Sequence, residues 1–450
     1  MGLKIIIVGF GQVGTHLAKV LAYENHDVSV IESNSALCQQ MQESLDVQVI
    51  NGYGTDYKML EAAGIKEADM VVAFTGIDEQ NILTCQMAAK YGVKNKIARI
   101  RNAAFFQNQD YFTLKDWGVD VAIQPELETA KEIALLVKRS AATDVLNLAQ
   151  GKLQMVGMRI GTDCPVLGKT MQKVSEEYTG YPFRAVAILR NNLTIIPTGQ
   201  DAYLPRDQIF FIGKTEEISN IVQLMGKSNE KLHKIMILGG GRIGQEIAHI
   251  LENEKDLEIK LIESNPDKTH MLADKLRNTL VIQGDGRDFD LLATEGIGET
   301  DALVSLTDDE ETNILASLLA KHLGVSKTIA LVNRKEYLPI MAPIGVNAAV
   351  NTNVITSNAI LRLIRLGDVV SVATLPSIDA EILEYRVTSN AKITKKPLNK
   401  ISFPKGAILG GITRNNAVFI PVGNSQIQAD DRVVIFALPQ SIHHVEKFFL

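Results

Sequence analysis

The sequence predicts an α/β protein: a Rossmann-type doubly wound parallel sheet followed by a small αβ lobe, with this whole unit then duplicated in tandem. Three observations predict it. Short apolar runs alternate with segments of helical period. A glycine loop joins strand to helix near the start of each half. The chain also matches itself from its first residues almost to its last. Its 450 residues exceed the ~250–300 at which single cores stop growing, so several domains are required.

The first strand is expected in KIIIVG (4–9), followed by a helix and then by a second strand, DVSVIE (27–32). The alternation continues through VQVING (47–52), ADMVVAFT (68–75), KIARIR (96–101) and VDVAI (119–123), with a helical stretch from Ile82 to Tyr91. Nearly continuous apolar strands suit a parallel sheet covered on both faces. Pro125 opens a helix through Leu136 and Val137, because proline in a first turn forfeits no internal hydrogen bond. The small lobe then carries MVGMRI (155–160), RAVAILR (184–190), LTIIP (193–197) and QIFFIG (208–213), with a last helix from Glu216. Asn191 and Asn192 turn a tight hairpin, since asparagine tolerates the left-handed backbone needed there. The polar stretch GKSNEKLH links to a fresh strand, KIMILGGG, at Lys234. The expected domains are 1–125, a bridging helix over 126–143, 144–228, 232–352, a second bridging helix over 353–367, and 368–450.

The repeat register holds throughout. Gly9, Gly11 and Gly14 recur as Gly239, Gly241 and Gly244, and Glu32, Ser33 and Asn34 as Glu263, Ser264 and Asn265. GYGTD (52–56) recurs as GDGRD (284–288), and TGIDEQNIL (75–83) as TDDEETNIL (307–315). In the small lobes Arg190, Asn191, Asn192, Pro197 and Gly199 return as Arg414, Asn415, Asn416, Pro421 and Gly423.

Composition excludes several classes. No apolar stretch reaches the ~20 residues of a membrane helix, so any membrane role must act through a partner. The start lacks a basic leader and reads as a buried first strand, while the sparse, odd cysteine count suits a reducing cytosol. Three widely spaced cysteines, Cys38, Cys85 and Cys164, suggest neither a disulfide framework nor a metal cluster. A net charge of −6 without a basic run argues against nucleic acid binding.

Chemistry concentrates in the glycine loops. Gly9, Gly11 and Gly14 end a strand and open a helix, and Glu32 ends the next strand at the dinucleotide spacing. Gly9 permits the tight turn, Gly11 lets backbone approach a pyrophosphate, and Gly14 allows close helix packing. The helix N-terminus offers amide donors to phosphates. Glu32 can accept ribose hydroxyls and repels a 2′-phosphate, favouring NAD(H) over NADP(H). Thr75 and Gly76 lie on the carboxyl edge where ligands bind; Thr75 equally suits a cap for the helix starting at Asp78. Arg99 has two readings: toward the phosphates, or paired with a carboxylate on a neighbouring element. Trp117 reads as packing, and Lys58 and Glu61 as a solvated helix face. In the second copy Arg242 replaces Gln12, favouring a more highly charged ligand or a triphosphate, and Leu331 replaces Arg99, while Glu263 is kept.

No catalytic constellation accompanies the loops. The eight histidines are scattered, no HExxH or GxSxG occurs, and the small lobe is short for a substrate domain. It suits a ligand pocket or a dimerisation surface. The rival reading is an NAD-dependent oxidoreductase with two Rossmann lobes, and a third is a regulatory subunit of another cation transporter.

IIIVGFGQVGTHLA (5–18), ADMVVAFTGIDEQNILTCQMA (68–88), IARIRN (97–102) and the repeated lobe order resemble the TrkA family of Trk potassium uptake regulators, built from tandem RCK (also called KTN) domains. The resemblance covers essentially the whole chain. It implies a non-enzymatic cytosolic gating subunit that binds NAD(H), and in some members ATP or ADP. It further implies a homo-oligomeric ring at the inner face of the cell membrane, beneath an integral membrane potassium-translocating subunit (TrkH-like). Nucleotide contacts are implied from Gly9, Phe10, Gly11, Gln12 and Val13, and from Glu32, Thr75, Gly76 and Arg99. In copy two they are implied from Gly239, Gly240, Gly241, Arg242, Ile243, Glu263, Thr307 and Asp308.

Overall fold

A computed structural model describes residues 2–23, 26–102, 105, 113–178, 180, 182–228, 231–334, 336–364, 369–375 and 378–449. The chain forms two compact units. The first joins Met1–Thr129 to Thr352–Ile364, and the second takes Ala130–Asn351 and Arg365–Leu450.

In the first unit β1 (Lys4–Val8), β2 (Asp27–Glu32), β3 (Gln48–Asn51), β4 (Met70–Ala73), β5 (Asn95–Arg99) and β6 (Val121–Ile123) form one parallel sheet of order β3-β2-β1-β4-β5-β6. Side chains alternate across it. Ile5, Ile7, Val28, Val30 and Val72 face one core, while Ile6, Val8, Ile31 and Val71 face the other. That alternation is why the strands read as unbroken apolar runs. The first core is closed by Leu17, Ala18 and Leu21 of the helix Gln12–Tyr23, together with Ala359, Ile360 and Leu361 of the helix Thr352–Ile364. Burying each large aliphatic there contributes about 1.5–3 kcal/mol.

The bridging helix expected over 353–367 is described over Thr352–Ile364, where it packs with the first lobe, and 365–367 lie outside the described residues. Pairing of its small and apolar residues with Leu17, Ala18 and Leu21 decides this. Such a pairing between distant segments leaves no local mark in the sequence. Likewise the helix Pro125–Lys138 divides, with Ala130 onward belonging to the second unit.

The second unit holds three sheets. β7 (Asp144–Leu148), β8 (Leu153–Arg159), β9 (Phe183–Arg190), β10 (Leu193–Ile195) and β11 (Gln208–Lys214) form an antiparallel sheet of order β10-β9-β11-β8-β7. β12 (Lys234–Leu238), β13 (Glu258–Glu263), β14 (Thr279–Gln283), β15 (Ala302–Ser305), β16 (Lys327–Leu331) and β17 (Ala348–Val350) repeat the parallel order of the first lobe. β18 (Val369–Thr374), β19 (Glu381–Arg386), β20 (Ala407–Arg414), β21 (Ala417–Phe419) and β22 (Arg432–Ala437) repeat the antiparallel one. The edge strand β7 and the helix Met171–Glu177 leave no clear pattern in the sequence, both being short and partly polar.

The hairpin asparagines lie in the left-handed region, Asn191 and Asn192 at φ 50° and 61°, Asn415 and Asn416 at 49° and 68°. The neighbouring Arg190 makes a two-pronged ion pair with Asp207 at 2.9 and 2.7 Å, and Arg414 does the same to Asp431 at 2.7 and 2.7 Å. Both carboxylates are buried, which explains why the arginine travels with the turn in each copy. The two small lobes share one core, Leu153, Phe210 and Ile212 packing with Ile382, Val434 and Phe436. Lys152 Nζ donates to the Asn416 carbonyl at 2.7 Å across the same contact. The apolar face of each small lobe is thus covered within the chain.

Candidate nucleotide sites

The parallel sheets reverse strand order between β1 and β4, and between β12 and β15. Ligands of open α/β sheets bind at the carboxyl ends of the strands beside such a switch point. Both glycine loops stand there. Gly9 sits at φ 96°, and a Cβ on it would lie 2.8 Å from the Phe74 carbonyl oxygen. A Cβ on Gly14 would come within 2.3 Å of the Gly9 oxygen. By contrast a Cβ on Gly11 would meet nothing within 4 Å. The loop therefore has two glycines demanded by packing and one facing open space, where a phosphate can approach backbone amides. The second copy repeats this: Gly239 at φ 100°, Gly244 with a Cβ 2.0 Å from the Gly239 oxygen, and Gly241 with nothing near.

The acid after the second strand holds the loop. Glu32 Oε2 accepts the Phe10 amide at 2.7 Å, and Oε1 accepts the Asn34 amide at 2.7 Å and the Ser33 hydroxyl at 3.2 Å. Glu263 does the same to Gly240, Asn265 and Ser264 at 2.9, 2.7 and 3.4 Å. A carboxylate offers about four acceptor positions, so each retains capacity for a ribose hydroxyl. Glu32 is half-buried and Glu263 buried.

The far wall is built on a buried asparagine. Asn81 accepts both the amide and the hydroxyl of Thr75, at 2.8 and 2.7 Å, and donates to the carbonyls of Thr75 and Arg99 at 3.2 and 2.9 Å. It thereby ties the ends of β4 and β5 to the helix Asp78–Lys90. Asn313 repeats all four bonds with Thr307 and Leu331, at 2.8, 2.7, 3.0 and 3.1 Å. Thr75 is consequently not the cap of its helix. That position is Ile77, whose side chain makes no cap bond, and the Thr75 hydroxyl is taken up by Asn81.

Of the two readings of Arg99, the structure shows the ion pair: Nη2 lies 3.6 Å from Glu126 Oε1, with the guanidinium 5.6 Å from the centre of the Phe74 ring. Arg101 instead reaches the edge, its guanidinium donating to the Gly76 carbonyl. In the second copy the wall is charged differently. A cleft of about 480 Å³ is lined by the glycine loop, Glu263, Lys268, Asp285, Arg287 and Thr307 with its two following aspartates. Arg287 grips Asp285 through Nη2 at 2.7 Å, holding that carboxyl well down, to about 2. Among the described residues no group of His, Cys, Asp and Glu is disposed to hold a metal.

Comparison with known proteins places these loops in a family. A TrkA-N domain model matches residues 5–125 and 235–352, and a TrkA-C domain model matches 382–450. The Trk system potassium uptake protein TrkA homolog 2 of Methanosarcina mazei is 36% identical over 99% of this chain and 100% of its own. The chain belongs to the TrkA family. A TrkA of Vibrio alginolyticus is 31% identical over 99% of this chain and 98% of its own. Among solved structures, the GsuK RCK domain superposes with TM-score 0.60 at 18% identity, covering 100% of this chain and 95% of that one. The GsuK channel bound to NAD gives 0.61 at 17%, covering 100% and 79%. TrkA proteins are regulators of potassium uptake rather than enzymes, in line with the lack of a catalytic constellation in the sequence.

The TrkA-N matches span every loop residue singled out from sequence: Gly9–Gly14, Glu32, Thr75, Gly76, Arg99, Gly239–Gly244, Glu263, Thr307 and Asp308. The sequence alone assigns no role at the site to Asn81, Asn313, Lys268, Asp285 or Arg287. The signal for the asparagines was present, since they recur in register within the longest repeated segment.

Proposed function

We propose that this TrkA-family chain is the cytoplasmic nucleotide-sensing gating subunit of a Trk-type potassium uptake system. It would work as a homo-oligomeric ring under an integral membrane potassium-translocating subunit, TrkH-like. NAD(H) is the ligand the paired loop and acid favour, and ATP or ADP is the alternative at the second, more charged cleft. The observation that carries this is the coincidence, in both copies, of an open central glycine with a carboxylate anchored to the same loop. Among the described residues no helix is long and apolar enough to cross a membrane, so control of a pore requires the partner. Gating then follows from linkage: a nucleotide biases the pore by binding one ring conformation better, with coupling of about 1–3 kcal/mol.

The test is titration of the full chain with NADH, NAD, ATP and ADP, beside Gly11→Asp and Gly241→Asp, while NADH absorbance is followed. The expected result is reversible binding lost at one site in each variant, without NADH oxidation. No binding of any of the four nucleotides would sink the sensing reading, and metabolite-dependent oxidation would return the chain to the oxidoreductases.

A further inference from the structure

The helix Thr352–Ile364 touches the first glycine loop itself. Asn353 Nδ2 donates to Gln12 Oε1 at 2.6 Å, joining the first turn of this helix to the first turn of the helix Gln12–Tyr23. Two residues before Gln12, Phe10 is 2% exposed, in the core that also holds Ala359, Ile360 and Leu361. The Phe10 amide is meanwhile the one bonded to Glu32, the acid that faces the ribose in the nucleotide reading. A loop residue is therefore held on one side by the ligand-facing carboxylate, and its side chain shares a core with a helix contributed by the second copy. In the second loop the Phe10 position is Gly240, which has no ring to offer.

We propose that the first glycine loop is latched to the helix Thr352–Ile364 through Gln12–Asn353 and Phe10, so that ligand at the first site is felt by a segment of the second copy. This rests on the nucleotide reading of that site. Asn353 is a positioning residue, acting on the ligand only through Gln12. The helix continues directly from β17 and leads in the chain to the second small lobe, so a change in its seating acts on the connection between the second copy's two lobes. The asymmetry is specific: the second loop, with Gly240, lacks the apolar half of such a latch.

The experiment is hydrogen exchange on the full chain, wild type beside Gln12→Ala, Asn353→Ala and the double variant, each with and without NADH, and with NADH affinity measured in parallel. Without nucleotide, Gln12→Ala should raise exchange over 352–358 about two- to tenfold, as expected for loss of one side-chain hydrogen bond. The double variant should go no further than either single one, since both remove the same contact. NADH should slow exchange over both 9–14 and 352–364 in the wild type. In Asn353→Ala it should still protect 9–14 while the response of 352–364 falls severalfold. Unchanged exchange over 352–358 in Gln12→Ala overturns the latch, as does wild-type protection of the loop by NADH with no change in the helix. If NADH fails to bind the wild type, the nucleotide reading fails instead, and the nucleotide-free comparison still decides the latch.

Discussion

The two Rossmann lobes keep one scaffold and vary its charges. The carboxylate grip on the loop, the buried asparagine and the crowded last glycine agree bond for bond between copies. Around them, Gln12 becomes Arg242, Tyr53 becomes Asp285, Thr55 becomes Arg287, Gly76 becomes Asp308 and Arg99 becomes Leu331. Duplication thus separates positions whose bonds and packing recur in both copies from positions around the clefts whose charge differs between them.

If that division is right, the largest and most equal effects should come from the crowded glycines. Gly14→Ala and Gly244→Ala each force a methyl against a backbone oxygen that cannot withdraw without moving the sheet. Each should destabilise its lobe by about 3 kcal/mol, the upper end of ordinary overpacking, read as a lowered midpoint in urea. A large cost in one copy only would break the comparison. Asn81→Ala and Asn313→Ala come next, at about 2–3 kcal/mol each, since each strands the Thr75 or Thr307 amide and a strand-end carbonyl away from water.

Lys327 sharpens the contrast, because it stands where the first copy has the exposed Asn95. It is fully buried, its ammonium donating to the carbonyls of Ser140 and Ala142. Burial pulls its pKa down from the usual lysine value to about 7, against a smaller opposing pull from Asp144 on β7, with Lys227 and Lys321 adding to the depression. Above pH 7 the unfolded chain then binds a proton that the folded chain has released. Stability should therefore rise with pH from about 7 towards 10.5, by at most about 1.4 kcal/mol per unit, and be flat below. Lys327→Met should remove that slope relative to wild type, while Asn95→Met should leave it intact. Equal slopes in wild type and Lys327→Met would mean the lysine is solvated.

What was legible in the sequence follows the same line. Both parallel sheets, the hairpin turns and the glycine loops could be read, because each rests on local pattern: apolar runs, paired asparagines, glycines at fixed spacing. The seat of the helix Thr352–Ile364 could not, since it depends on Ala359 and Ile360 finding Leu17 and Leu21 some 340 residues away. Arg99 was legible only as a choice. A basic residue at a strand end serves a phosphate or a carboxylate equally, and only folding brings Glu126 beside it.

The smallest stability effect, and the finest test of the division, lies at Arg287. Its pair with Asp285 is exposed, with side chains 72% and 45% accessible, and such pairs contribute little. Replacing it with the first copy's residue, Arg287→Thr, should leave unfolding stability at neutral pH almost unchanged. The sign in acid is fixed by Asp285, whose folded pKa is depressed. Any contribution is present above its ordinary value near 4 and is lost as pH falls towards 2, so wild type and variant should converge there. Binding should respond differently, because the same guanidinium lines the second cleft. Arg287→Thr should weaken ATP more than NADH, with the loss shrinking as salt is raised. A cost to folding without any change in nucleotide preference would place Arg287 among the scaffold positions.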